Sequence, residues 1–106
     1  MQRMPTQVQA SAYSVVNHYL KAIKAAGTKD PDVVMAKMRE LPINDFMSHN
    51  AKLRADGRVL RDQYLFEIKS PAESEGRWDY YKQIGVIPAE KATRPLDEGG
   101  CPLVGK

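Results

Sequence analysis

The sequence is poor in the residues that build disulfide, metal and redox chemistry. Its 106 residues include one Cys and two His, which excludes an internal disulfide framework and a zinc site with paired cysteines. No apolar run approaches the roughly 18–20 residues of a membrane-spanning helix. Residues 1–12 lack the continuous apolar stretch of a secretory signal peptide. We therefore expect a small α/β or α+β unit without an export signal.

The net charge is low and unevenly distributed. Sixteen Lys and Arg residues against 13 Asp and Glu residues give a net charge of +3. Residues 1–29 contain four cationic residues and no acidic one, whereas residues 30–106 contain 12 cationic and 13 acidic residues. A nucleic-acid interface would cluster cations with stacking aromatic residues. Lys21 and Lys24 instead fall near the end of a predicted helix, where they complement the helix dipole. This pattern argues against a nucleic-acid partner.

Two amphipathic helices are predicted within residues 1–42. The first, about Gln7–Ala26, follows the start signal Pro5-Thr6 and ends at Gly27. Its apolar residues recur at three- and four-residue steps: Val8, Ala12, Val15, Val16, Tyr19, Leu20, Ile23 and Ala26. The second helix opens at Asp30-Pro31 and ends before Pro42. Its apolar stripe is Val34, Met38 and Leu41. We expect the pair to form a helical hairpin.

A change to two-residue periodicity predicts a β-hairpin within residues 43–71. Its strands are expected at Phe46–Leu53 and Arg58–Lys69, around an Asp56-Gly57 turn that tolerates positive φ. Pro71 ends the second strand. Residues 72–106 are rich in Pro, Gly and charge, apart from the aromatic segment Trp78–Tyr81. They are expected to form an irregular C-terminal wrap with one short helical turn.

No pattern in the chain predicts catalysis or a metal site. His18 and His49 lie on different predicted elements without a second ligand at a metal-binding step. We expect His18 at the flank of the first helix and His49 in a strand or loop. Cys101 has no cationic neighbour or helix start that would activate it as a nucleophile, although export would allow a disulfide. A binding protein with no catalytic residue, cofactor or metal is expected.

The predicted elements leave the apolar face of the first helix uncovered. A two-stranded ribbon is marginal by itself, and no further sheet is predicted that this helix could cover. Either the chain oligomerises through the helix or it is part of a larger protein. Two classes of function follow: a portion of a larger binding protein, and a stand-alone interaction module that dimerises through its helices and has no small-molecule ligand.

Segments along nearly the whole chain follow the order of a known family. They are Met4-Pro5-Thr6 through Leu20, Ala25–Thr28, Asp30–Asp32, Met35–Arg39, Asp56–Arg58, Tyr64–Pro71, Trp78–Lys82, Ile87-Pro88 and Cys101–Val104. Together they resemble the C-terminal third of the leucine/isoleucine/valine-type substrate-binding proteins of ABC transporters, the type I periplasmic binding proteins. The resemblance implies an α/β fold of two lobes, each a helix-covered parallel sheet, with the ligand in the cleft between them.

The resemblance also assigns the parts of this chain. By that likeness residues 1–42 belong to the first lobe, residues 43–71 to the last hinge crossing, and residues 72–106 wrap onto the fold. The implied function is periplasmic solute binding for an ABC permease. The implied ligand is an amino acid or a small carboxylate, aromatic ones included. Ligand contacts that exist only in the closed state would stabilise closure of the lobes.

Four ligand-proximal residues are implied at the start of the first helix, because this region borders the cleft in relatives. They are Val8, Gln9, Ser11 and Tyr13. The alternative is that Val8 and Tyr13 are core or helix-start residues and that Gln9 faces solvent. Relatives are longer and carry their carboxylate-binding segment upstream. The chain alone is therefore expected to bind ligand weakly or not at all, and to form homo-oligomers.

Overall fold

The structure, a computed structural model, describes residues 4–104. The elements follow in the order α1 (Gln7–Ala26), α2 (Pro31–Glu40), β1 (Lys52–Leu53), β2 (Val59–Leu60), β3 (Gln63–Ile68), β4 (Tyr81–Ile87), α3 (Ala89–Ala92) and a 3₁₀ turn (Asp97–Gly99). The strands form two separate two-stranded antiparallel sheets, β1–β2 and β3–β4. The chain is thus the expected mixed α/β arrangement, with helices first and small sheets after them.

Both ends of α1 are fixed by caps. Thr6 Oγ1 accepts the Gln9 N–H at 3.3 Å, and Gln9 Oε1 accepts the Thr6 N–H at 2.9 Å, which is a reciprocal capping box. At the other end Gly27 has a φ of 67°, a left-handed conformation that is costly for residues with a Cβ. Its N–H donates to the Ile23 carbonyl at 2.9 Å. The predicted bounds of α1 are confirmed.

The ends of α2 are also set locally. Asp30 Oδ1 accepts the N–H groups of Asp32 and Val33, each at 3.1 Å. Pro31 occupies the first helical position, where its missing N–H leaves no intrahelical bond unmade. The helix ends at Glu40, two residues before Pro42, as predicted.

A small apolar core joins the two helices. Ala22 of α1 packs against Val34 and Met38 of α2, and all three are buried. Four partly buried side chains surround them, namely Ile23, Ala26, Leu41 and Leu53. The predicted apolar stripe of α2 is therefore the one that is used.

The buried face of α1 is polar, contrary to the sequence prediction. Its buried residues are Ser14, His18 and Ala22, which repeat every four residues on one face. Hydrogen bonds of Ser14 and His18 to neighbouring segments fix this face inward. Of the predicted stripe only Ile23 and Ala26 pack on the core. Six members are exposed, and the five large ones are called here the outer apolar stripe: Val8, Val15, Val16, Tyr19 and Leu20.

The predicted first strand, Phe46–Leu53, is wrong over most of its length. Only β1 is extended and paired, because residues 43–51 form a loop closed by a backbone bridge between Ile43 and Ala51. Asn44 Oδ1 also accepts the Asn50 N–H at 2.8 Å across the same neck. These cross-links hold the loop as a compact unit beside α1.

The predicted second strand, Arg58–Lys69, divides into two. β2 pairs with β1 around the expected turn, where Gly57 has a φ of 82°, whereas β3 pairs with β4. The chain turns away between them, and Asp62 Oδ1 accepts the Ala89 N–H at the start of α3 at 2.9 Å. The hairpin is confirmed, but it is short.

The C-terminal segment is more regular than the predicted wrap. β4 runs antiparallel to β3, in a register from Gln63–Ile87 to Ile68–Tyr81, with a bulge between Leu65 and Phe66. α3 (Ala89–Ala92) provides the short helical turn expected in this segment. Before β4, Trp78 has a φ of 79° and Asp79 is bound to Lys69 Nζ at 2.8 Å. These local features close the β3–β4 connection.

The chain exposes more surface than a compact protein of its mass. Its accessible surface is 8568 Å², whereas a compact monomer of 11.9 kDa exposes about 5,900 Å². Its radius of gyration is 17.2 Å, against about 13 Å for a compact domain of this length. In residues 4–104 no helix has the length and apolar character needed to cross a membrane.

Candidate functional site

A groove of about 790 Å³ lies where α1, α2 and the β1–β2 hairpin meet. That volume is in the range of small-molecule sites. The α1 side consists of Val8, Ser11, Ala12, Ser14, Val15 and His18, the α2 side of Met35, Met38 and Arg39, and the hairpin side of Leu53, Ala55, Gly57, Arg58, Val59 and Arg61. Ile43 and Leu103 complete the lining. The groove is therefore mainly apolar, with a few polar groups.

The charged groups of the groove are of one sign. Arg39, Arg58 and Arg61 line it, and no Asp or Glu in the described part of the chain does so. A guanidinium binds a carboxylate through two parallel hydrogen bonds. An anion is therefore the charged group that this lining can accommodate.

The polar side of α1 positions the loop next to the groove. Ser14 Oγ donates a hydrogen bond to Asp45 Oδ2, and Asp45 Oδ1 accepts the Met47 N–H at 2.8 Å. Burial opposes ionisation of Asp45, but these bonds and the charge of Lys21 hold its pKa below the ordinary 3.8. Asp45 is thus a carboxylate at neutral pH, and it fixes the 43–51 loop onto α1.

His18 connects the two helices beneath the groove. Its side chain is 4% exposed, and Nε2 lies 2.8 Å from the Met38 carbonyl oxygen. A carbonyl can only accept, so Nε2 carries the proton. The prediction of a flanking His18 is therefore wrong, because this hydrogen bond draws the ring inward. His49 is exposed in the 43–51 loop, as expected.

Two of the four predicted ligand-proximal residues lie on the groove. Val8 and Ser11 line it. Gln9 is held in the capping box of α1, and the Tyr13 ring lies against Phe46, with 5.5 Å between the ring centroids. The structure therefore places Val8 and Ser11 together and sets Gln9 and Tyr13 apart from them. Their proximity to a ligand stays a prediction.

The groove arginines were not among the sequence candidates. Arg58 and Arg61 flank Val59-Leu60, a spacing that by itself suggests only a charged hairpin surface. Nothing in the sequence indicates that this hairpin reaches the start of α1. The described residues contain no cluster of three or more His, Cys, Asp or Glu that could hold a metal ion, and Cys101 is a half-buried free thiol.

The sequence profile of the periplasmic binding proteins matches residues 1–76. The chain belongs to the periplasmic binding protein family. The family resemblance deduced from the sequence segments is thereby confirmed. A family of binding proteins also agrees with the prediction that the chain is not an enzyme.

Two crystal structures show the same fold. One is a periplasmic binding protein from Burkholderia mallei, 45% identical, with a TM-score of 0.90 over 97% of this chain. The other is a branched-chain amino acid ABC transporter periplasmic ligand-binding protein from Burkholderia xenovorans LB400, 41% identical, with a TM-score of 0.91 over 97% of this chain. This chain spans 27% of the first protein and 28% of the second. No curated protein matches it.

Proposed function

We propose that the chain forms part of the ligand cleft of an ABC-transporter solute-binding protein. The observation that carries the proposal is the groove between the start of α1 and the β1–β2 hairpin, which contains Val8 and Ser11. The ligand is an amino acid or a small carboxylate, aromatic ones included, and the protein partner is an ABC permease. The place of action is the periplasm. The Burkholderia xenovorans LB400 relative, with its ABC-transporter description, supports this assignment.

The groove would act as one wall of a closing cleft. Its polar groups would orient the ligand while the apolar lining removes the ligand's apolar body from water. In a two-lobed protein the opposite wall completes these contacts on closure. The ligand then stabilises the closed state by the difference between its binding free energies to the closed and open states. One wall alone gives only part of the binding free energy.

Nuclear magnetic resonance titration of the chain tests this proposal. Leucine, valine and benzoate at millimolar concentrations should include at least one compound that shifts the amide signals of Val8 and Ser11, with weak, millimolar affinity. The Gly76 amide, in the β3–β4 connection, serves as the unaffected reference. Absence of any shift would contradict the proposal. Submicromolar affinity would instead contradict the interpretation of the groove as one wall of the cleft.

A second candidate function is association with another copy through the outer apolar stripe. Val8, Val15, Val16, Tyr19 and Leu20 are each between 44% and 77% exposed. An apolar surface of this kind is typical of an interaction site. This candidate corresponds to the dimerising module without a small-molecule ligand.

Sedimentation tests the second candidate. The chain should sediment as a species larger than 11.9 kDa, and Val16→Glu with Leu20→Glu should return it to a monomer, because charges on the stripe cannot be buried without a partner. Ala25→Glu, on an exposed position of α1 outside the stripe, is the matched control and should leave association unchanged. A monomeric unmodified chain would exclude homo-oligomerisation.

A further inference from the structure

We infer that Asp62 and Arg54 are positioning residues that shape one wall of the groove from outside it. Neither lines the groove. Both bind the backbone of residues 88–104, called here the 88–104 strap, and the strap supplies Leu103 to the groove lining. The inference rests on the proposed function and adds to it the residues that hold one side chain of the groove in place.

The strap runs from the end of β4 to the groove with little packing of its own. It contains α3 and the 3₁₀ turn Asp97–Gly99, and none of its side chains is buried. At its far end the Val104 N–H donates to the Cys101 carbonyl oxygen at 3.1 Å, which makes a β-turn with Leu103 at a central position. A segment with few buried contacts detaches readily. The position of Leu103 therefore depends on where the strap is attached.

Asp62 attaches the start of the strap. It lies between β2 and β3, and its Oδ1 accepts the Ala89 N–H at 2.9 Å. Ala89 begins α3, so its N–H has no acceptor within the helix, and the preceding Pro88 provides no side-chain cap. A carboxylate oxygen is a strong acceptor for such a group. The Asp62 side chain thus replaces a local cap and fixes α3 to the junction of β2 and β3.

Arg54 attaches the strap further along. Its Nε and Nη2 bind Asp56, which orients the guanidinium, and its Nη1 donates to the Arg94 carbonyl oxygen at 2.9 Å. The Arg54 side chain is 15% exposed, so this hydrogen bond is largely shielded from water. The planar fork of an arginine reaches both partners at once. The strap is therefore tied to the same hairpin that forms one side of the groove.

Leu103 extends the apolar part of the lining. Leu53 and Val59 of the hairpin and Val8 of α1 line the same groove. A ligand placed against these residues would remove more apolar surface from water with Leu103 beside it than without. Because Asp62 and Arg54 bind backbone groups of the strap, they set the position of this part of the wall without touching Leu103 themselves.

The methyl chemical shifts of Leu103 test whether these residues hold the strap. Asp62→Ala and Arg54→Gln should each move the Leu103 signals towards their positions in an unstructured peptide. Asp62→Asn keeps an acceptor oxygen and should move them less. Asp97→Ala is the matched control, because this carboxylate of the strap makes no side-chain hydrogen bond in the described part of the chain. Unchanged Leu103 signals in both Asp62→Ala and Arg54→Gln, with the amide spectrum still dispersed, would overturn the inference.

Titration with leucine, valine and benzoate tests whether the strap shapes the groove wall. Leu103→Ala should weaken binding of at least one of them by about threefold or more, the effect of roughly one buried methylene group, and Asp62→Ala should weaken it similarly. Because Asp62 acts through Leu103, the double variant should bind no more weakly than Leu103→Ala alone.

Additive losses in the double variant would overturn the positioning role, as would unchanged binding in Leu103→Ala. Either result would leave the proposed function standing. Binding of none of the three compounds to the unmodified chain would contradict the proposed function, while the methyl signals separately decide whether Asp62 and Arg54 hold Leu103.

Discussion

The helical region, residues 7–51, and the β3–β4 ribbon, residues 63–87, differ in how many of their side chains are buried. Every buried side chain of the described residues lies between Ser14 and Ala51. In the ribbon no strand residue is buried, and only Gly85 is half-buried. The helical region thus has a core of its own, whereas the ribbon has none.

The ribbon is held by contacts along its own surface. The Phe66 ring lies 6.4 Å from Tyr64 and 6.1 Å from Tyr81, measured between centroids. Lys69 and Asp79 form an ion pair at the base of the connection. Aromatic pairs and partly exposed ion pairs such as this one are each weak, so most of the ribbon's order comes from backbone pairing. Side-chain packing therefore stabilises the helical region more than the ribbon.

Truncation of a core side chain is expected to have the largest effect on stability. Met38→Ala should lower the free energy of unfolding by about 2–5 kcal/mol, because a buried side chain is replaced by a cavity. Met35→Ala, on the same helix but 42% exposed, should cost far less. Ile68→Ala in the ribbon, 78% exposed, should stay within about 0.5 kcal/mol. Urea unfolding followed by circular dichroism measures all three.

The outcome separates two interpretations of the molecule. If Ile68→Ala were as destabilising as Met38→Ala, the ribbon would be covered by something in solution, and the comparison would fail. If Met35→Ala matched Met38→Ala, the outer side of α2 would be buried by association. Repeating the measurement at several protein concentrations distinguishes association from a monomer effect.

The features that could be predicted from sequence are the local ones. The bounds of α1 and α2 depend on Thr6, Gly27, Asp30 and Pro31, which act within one turn of the helix. The orientation of α1 depends instead on tertiary hydrogen bonds of Ser14 and His18. An apolar pattern carries no information about such bonds, so the helix was expected to bury the opposite face.

The strands were harder to predict for a related reason. β4 was missed because Tyr81–Ile87 lies in a segment rich in Pro, Gly and charge, and its partner strand lies across a long connection. The family resemblance indicated Val8 and Ser11, which line the groove, but their proximity to a ligand stays a prediction. Arg58 and Arg61 could not be added, because their approach to α1 results from the position of the whole hairpin. The assignment of residues 43–71 to a hinge crossing stays a prediction.

A smaller effect is expected from a glycine pair, one in each region. Gly27→Ala should destabilise the chain by about 1–2 kcal/mol, because φ is 67° and a Cβ is unfavourable there even in open space. Gly76, in the β3–β4 connection, has no positive φ and no atom within 4 Å of a Cβ position. Gly76→Ala should be neutral or slightly stabilising. Thermal unfolding measures the change in stability for each variant. Equal changes would show that backbone conformation does not distinguish the two glycine positions.

The smallest effect on stability is expected from acidification, which protonates Asp56 in the β1–β2 hairpin between the two regions. Arg54 lies in this hairpin, and its hydrogen bonds to Asp56 lower the pKa of Asp56 from 3.8 to about 2. Arg54 Nη1 also donates to the Arg94 carbonyl oxygen at 2.9 Å. Because the pKa of Asp56 is lower in the folded state, its stabilising contribution is complete above about pH 5 and is lost as the pH falls from about 4 to about 2.

Unfolding midpoints measured from about pH 5 to about pH 2 test this contribution. Asp56→Asn should reduce the slope in that window, and Arg54→Gln should reduce it similarly, because it lets the pKa of Asp56 return towards 3.8. A residual slope is expected from Asp45, whose pKa is lowered although burial acts in the opposite direction, and from Glu73 and Asp79 of the ribbon, whose pKa values hydrogen bonds also lower. Since Asp45 belongs to the helical region, adding Ser14→Ala should reduce that residual slope. If Asp56→Asn left the slope unchanged, the acid sensitivity would belong to carboxylates outside the hairpin, Asp45 of the helical region and Glu73 and Asp79 of the ribbon.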